Sequence, residues 1–132
     1  HPKDILLWTE GQALIATGSP FTPIELFGKS FLIAQCNNTY IFPGIGLGVI
    51  ASKATRITDG MLMASAQALA EAATGDSLLP ALSDVQAVSK KIALAVGLAA
   101  QRENVAPFME KAVLQAAIEC NFWLPTYTSY LP

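Results

Sequence analysis

Apolar and polar positions along the chain change rhythm near Pro43. Before it, from Asp4 to about Gln35, short apolar runs alternate with turn residues. Ala13-Leu14-Ile15-Ala16-Thr17 is a buried-strand signal closed by Gly18-Ser19-Pro20. Residues 24–26 and 31–33 then flank Phe27-Gly28-Lys29-Ser30, a hairpin signal in which Gly28 can take a positive φ. After Pro43 the period becomes helical. Pro43 suits a first helical turn, where its missing N–H costs nothing, and the apolar run continues to about Ala54. Thr58 offers an N-cap, with Asp59 in the first turn, for a helix to about Ala73 whose Ala64, Ala68 and Ala72 permit close approach by a neighbour. Ser83 and Gln86 fit a capping box at the head of a long helix, along which Val85, Val88, Ile92, Val96 and Ala99 form one apolar stripe. A last helix is expected from Pro107 to about Asn121. The tail, residues 122–132, carries Trp123, Tyr127 and Tyr130 and is expected to lie against a surface. With no internal repeat or linker, residues 1–132 read as one α/β unit of short strands and a hairpin followed by four C-terminal helices.

Composition narrows what such a unit can do. At 132 residues it can bury one core but cannot hold a cofactor domain plus a catalytic domain. Hydrophobic residues make up 52% and charged residues 14%, too few ionic side chains to coat the body, so a second copy or neighbouring polypeptide should cover some apolar surface. The net charge of -2, with eight scattered Lys and Arg, leaves no electrostatic footprint for nucleic acid. No apolar run reaches the roughly 18 residues of a membrane span. The chain opens at His1-Pro2, with neither an initiator methionine nor a secretory segment, and reads like a cut inside a longer polypeptide. Cys36 and Cys120 lack CxxC spacing and one histidine accompanies them, so two free thiols in a reducing cytoplasm are expected rather than a zinc site.

The stretch that carries chemistry is Gln35-Cys36-Asn37-Asn38-Thr39-Tyr40-Ile41-Phe42-Pro43-Gly44. Its Asn pair falls where a strand signal ends and a helix begins, the carboxyl edge at which open α/β sheets bind ligands. Carboxamides offer two donors and an acceptor oxygen each, so they can hold a carboxylate or a nicotinamide amide without adding charge. Local turn formation is the commoner use of such a pair. Gly44-Ile45-Gly46-Leu47-Gly48 fails the dinucleotide fingerprint, because Val49 stands where the third glycine belongs; small residues that let a helix pack closely against the sheet are the better account. Gly18-Ser19, after the first strand, could line a cofactor cleft or simply turn the chain. The ten Asp and Glu are dispersed and His1 is terminal, so no catalytic acid, base, nucleophile or metal ligand is expected here.

Two strings, Trp8-Thr9-Glu10-Gly11-Gln12-Ala13-Leu14-Ile15-Ala16-Thr17-Gly18-Ser19-Pro20-Phe21 and Ile33-Ala34-Gln35-Cys36-Asn37-Asn38-Thr39-Tyr40-Ile41-Phe42-Pro43-Gly44-Ile45-Gly46-Leu47-Gly48, closely resemble the malic enzyme family. The likeness continues through Arg56-Ile57-Thr58-Asp59-Gly60-Met61 to Asn121-Phe122-Trp123. Leu47-Gly48-Val49-Ile50-Ala51-Ser52 resembles the bacterial NAD-using branch. Malolactic enzymes share the Asn-Asn and Pro-Gly features, while Gly18-Ser19-Pro20-Phe21 favours malic enzyme; a non-catalytic helical oligomerisation module is the alternative of another class. The resemblance implies the later half of a Rossmann-type NAD-binding domain plus C-terminal helices, cytoplasmic, working with the rest of its chain in a homo-oligomer. It further implies oxidative decarboxylation of L-malate to pyruvate and CO2 with NAD and with Mn or Mg, whose ligands lie outside these residues. Carried over by position, Asn37 and Asn38 match the pair at the malate and nicotinamide pocket, and Gly18 and Ser19 match the loop near the cofactor.

Overall fold

A computed structural model describes residues 1–73 and 77–125. The first element is a helix that the strand-like reading of this stretch did not anticipate: α1 spans Pro2–Trp8, with Pro2 at its start, Asp4 in its first turn and the His1 side chain accepting from the Lys3 N–H. Its apolar residues Ile5, Leu6, Leu7 and Trp8 look like a strand, yet only Leu6 and Pro2 are buried. The one-sided burial of a helix accounts for that, and Trp8 stays 81% exposed.

The strands are shorter than the apolar runs that signal them. β1 is Ala16–Thr17 and β4 is Ala34–Gln35, paired in parallel with Ala16 opposite Ala34 and Thr17 opposite Gln35. Between them, β2 (Ile24–Leu26) and β3 (Lys29–Phe31) form an antiparallel hairpin. The turn is tighter than the sequence suggests. Only Phe27 and Gly28 lie outside the strands, with φ of 51° and 71°, the paired left-handed conformations of a two-residue turn that matches strand twist. Lys29 and Ser30 therefore belong to β3.

Among the described residues four α-helices follow: α2 (Phe42–Ser52), α3 (Asp59–Ala72), α4 (Val85–Arg102) and α5 (Lys111–Asn121). Pro43 sits in the first turn of α2, and Thr58 caps α3 by accepting from the Met61 N–H at 3.2 Å. α4 is the central helix. Val88, Ile92, Val96 and Ala99 from the expected stripe are buried on it, together with Ala93 and Ala100. All of these but Ala93 meet Ile45 of α2 and Met61 of α3, while Ala64, Ala68 and Ala72 pack against the same cluster. Burying a side chain such as Ile92 or Met61 completely is worth about 1.5–3 kcal/mol, so this cluster is the main cohesive element. Leu114 and Ile118 of α5 form a second cluster with Ala51 and Ala93.

Two of the three glycines of α2, Gly44 and Gly48, serve close packing against a helix rather than the sheet. A Cβ on Gly44 would stand 2.6 Å from Ile92 Cγ2, and one on Gly48 would stand 2.7 Å from the Ala93 carbonyl oxygen, both on α4. Three other expectations need correction. The Ser83–Gln86 box does not form, because a 3-10 turn over Leu82–Asp84 places Ser83 already inside the helical path, where its hydroxyl meets Asp84 Oδ1. Pro107 does not open α5, which begins at Lys111 after the Met109 N–H has bonded to Gln101 Oε1. Trp123 is 76% exposed rather than packed, although its neighbour Phe122 lies under the Lys90 ammonium; Tyr127 and Tyr130 fall outside the described residues.

Candidate functional site

Strand direction decides where the four candidate residues, Gly18, Ser19, Asn37 and Asn38, fall. Because β1 and β4 run parallel, both chains leave the ladder at one edge. Gly18-Ser19 follows β1 there, and Cys36-Asn37-Asn38 follows β4. Hydrogen bonds knit the two exits: the Cys36 N–H donates to the Thr17 carbonyl at 2.8 Å, and Gln35 Nε2 donates to the Gly18 carbonyl at 3.3 Å. The Thr17 hydroxyl, donating to the Ser19 carbonyl at 2.8 Å, folds the first loop back on its strand. This is the carboxyl edge at which α/β folds place ligands.

The two asparagines, alike in sequence, differ in what they do. Asn37 is extended (φ -129°, ψ 140°) and its Oδ1 accepts from the Thr39 N–H at 2.9 Å, capping a 3-10 turn over Asn38–Tyr40. Asn38 is exposed, and its carboxamide makes no hydrogen bond among the described residues. Turn formation thus falls to Asn37 and leaves the Asn38 carboxamide without a partner among the described residues. Gly18 and Ser19 are exposed too, and a Cβ on Gly18 would meet open space. Among the described residues nothing crowds that position.

Two contributors went unnoticed in the sequence. Gln35 bridges the loops through its amide, and no spacing announces a cross-strand partner. Tyr40, buried with 4% of its surface exposed, donates its hydroxyl to the Pro80 carbonyl at 2.8 Å. Burial, and then the negative charge of Asp84, push its phenol above the ordinary value of 10.0, so it remains a donor throughout the neutral range.

The edge holds neutral amides but no assembled acid–base pair. Among the described residues no three His, Cys, Asp or Glu side chains gather to hold a metal ion. Cys36 and Cys120 are free and exposed. No helix among the described residues is long and apolar enough to cross a membrane. An open cavity of about 620 Å³ lies elsewhere, among Leu6, Leu14, Ile15, Phe31, Leu32 and Leu78, and none of the four site residues lines it.

Comparison with known proteins fits this geometry. Residues 1–101 match the family described as malic enzyme, NAD binding domain. The chain belongs to the malic enzyme family. The parallel pair, the hairpin and the four helices after them are the α/β arrangement of the Rossmann-type domain that membership implies. Over 98% of its length the chain is 61% identical to an NAD-dependent malic enzyme of Pectobacterium atrosepticum and 58% identical to one of Pseudomonas syringae pv. tomato. An Erwinia tasmaniensis NAD-dependent malic enzyme is 56% identical over the same share. The chain spans about a quarter of the length of these relatives, 24% in each case.

Proposed function

We propose that residues 1–132 form the later part of the NAD-binding domain of an NAD-dependent malic enzyme, whose whole polypeptide oxidises and decarboxylates L-malate to pyruvate and CO2. The observation that carries this reading is the free Asn38 carboxamide at the carboxyl edge of the parallel pair, beside the Gly18-Ser19 loop. Its two N–H donors suit a malate carboxylate, and its oxygen can accept from a donor on a neighbouring ligand. Asn37 holds the turn through its Oδ1 and keeps its amide nitrogen for the same pocket. The carbonyls of Gly18 and Ser19 are taken by Gln35 and Thr17, and their backbone N–H groups are what this loop offers the cofactor side. When bound, NAD supplies the hydride acceptor. These residues contribute orientation, bringing the substrate C2 hydrogen toward that acceptor, which lowers the barrier through proximity rather than bond breaking.

The catalytic acid and base, and the ligands for Mn or Mg, come from other parts of the polypeptide. The free thiols suit a reducing cytoplasm. The exposed apolar side chains Leu32, Leu62, Met63 and Phe108 favour further burial against the rest of the enzyme or a second copy in a homo-oligomer.

The test is Asn38→Ala in a full-length polypeptide that contains this chain. Losing a hydrogen bond to a charged carboxylate removes about 1.5–3 kcal/mol, so kcat/KM for malate should fall about 10- to 150-fold while circular dichroism is unchanged. Unaltered malate kinetics would remove Asn38 from the site and the reading with it.

A further inference from the structure

Asn38 is the first residue of the 3-10 turn over Asn38–Tyr40, and Tyr40 is the last. The three side chains divide by face: Asn38 is exposed, Thr39 half-buried and Tyr40 buried. The turn packs on both α2 and α4. Its deepest anchor is the Tyr40 hydroxyl, which reaches across 40 positions of sequence to the Pro80 carbonyl. Pro80 is itself buried and lies two residues before the 3-10 turn, Leu82–Asp84, that leads into α4. The ring fixes the depth of the turn, and the hydroxyl, at the far end of the ring, holds the turn against any rotation that would swing the ring axis. A turn of three residues has no long hydrogen-bonded ladder of its own to resist such rotation. A small rotation at Tyr40 swings the exposed Asn38 carboxamide away from any ligand at the edge, and misplacement of about 1 Å can cost a hundredfold in rate.

We infer that Tyr40 is a positioning residue for Asn38, acting through its hydrogen bond to the Pro80 carbonyl. This rests on the reading of Asn38 as a malate-holding residue. It assigns Tyr40 no contact with the substrate and no exchange of a proton.

The experiment is a double-mutant cycle in the full-length enzyme with Tyr40→Phe, Asn38→Ala and the pair, following malate and NAD kinetics at a temperature where calorimetry finds every variant folded. Tyr40→Phe keeps the ring and removes the hydroxyl. It should lower kcat/KM for malate about tenfold in the parent and by less than about twofold in the Asn38→Ala background, because a residue acting through Asn38 has nothing left to position. The KM for NAD should move by less than about twofold. Pro80→Gly, which loosens the accepting segment and leaves both side chains intact, should reproduce the same background dependence with a loss of about threefold. Equal losses in both backgrounds would mean that Tyr40 only supports the fold, and would overturn the inference while leaving Asn38 in place. Asn38→Ala without effect on malate would overturn the malate-site reading and the inference together.

Discussion

The contact between α2 and α4 can be tested by adding one methyl group at two glycines of the same helix. Gly46 and Gly48 both lie within α2, and a helical glycine replaced by alanine gains about 1 kcal/mol of intrinsic helix propensity. A Cβ on Gly46 meets nothing within 4 Å, so Gly46→Ala should keep that gain. A Cβ on Gly48 would stand 2.7 Å from the Ala93 carbonyl oxygen and 2.8 Å from Val96 Cβ, atoms that no rotamer change can move. The helices must separate instead. Overpacking of this kind costs about 1–3 kcal/mol, which offsets the propensity gain and takes Gly48→Ala below its neighbour by that amount. At roughly 4 °C per kcal/mol for a chain of this size, the two melting temperatures should differ by about 4–12 °C, with Gly46→Ala the higher. Thermal unfolding followed by circular dichroism, with urea titration as a second measure, reads the difference directly. Equal stabilisation by both substitutions would refute the close approach of α2 to α4. The packing has a functional side as well, because α2 begins two residues after Tyr40 and any displacement of its first turns is felt at the asparagine turn.

Two further outcomes follow from burial and charge. Leu114→Ala should cost about 2–5 kcal/mol, since Leu114 is fully buried and lies against Gly97, where even a Cβ would come within 2.9 Å of its Cδ2. Hydrogen exchange should show the amides of α5 losing protection before those of α4, and simultaneous loss would mean that α5 is not a separable layer. Alkaline pH should act on Tyr40. Burial and the Asp84 charge raise its phenol above 10.0 in the folded chain; the stability from keeping it protonated is therefore fully present below the unfolded value and is lost as pH rises through the folded one. The stability advantage of the parent over Tyr40→Phe should be constant from pH 7 to 9 and shrink above 10, whereas a gap independent of pH across that range would contradict the burial of the hydroxyl.

What the sequence made legible was whatever depends on neighbours along the chain. Thr58 and its bond to the Met61 N–H, Pro43 in the first turn of α2, and the stripe Val88–Ile92–Val96 all answer to spacing of three or four residues. The Asn pair at the strand-to-helix junction was legible for the same reason. Where local signals compete, the outcome depended on tertiary context. Ile5-Leu6-Leu7-Trp8 suits a strand by residue type, yet Pro2, Asp4 and the His1 cap make it helical once Leu6 alone finds a buried place. Ser83 has the sequence of a capping residue and loses that role because the chain is already coiled at Leu82.

Long-range pairing is where residue patterns carry least information, and the candidate site depends on it. Two-residue strands such as Ala16–Thr17 and Ala34–Gln35 hold too few side chains to specify a partner. Their parallel alignment follows from the chain path between them, in which the hairpin occupies the interval and returns the chain to the same edge. Asn37 and Asn38 cannot be told apart by type; the extended backbone of Asn37 turns its Oδ1 onto the Thr39 N–H, while the Asn38 carboxamide has no partner among the described residues. Freedom alone would not make Asn38 useful, because an exposed carboxamide on a loose turn spends its hydrogen bonds on water. Rigidity has to come from the buried end of the same turn. The Tyr40 hydroxyl on the Pro80 carbonyl provides that restraint without adding charge at the edge where the proposed function puts a dicarboxylate and a nicotinamide.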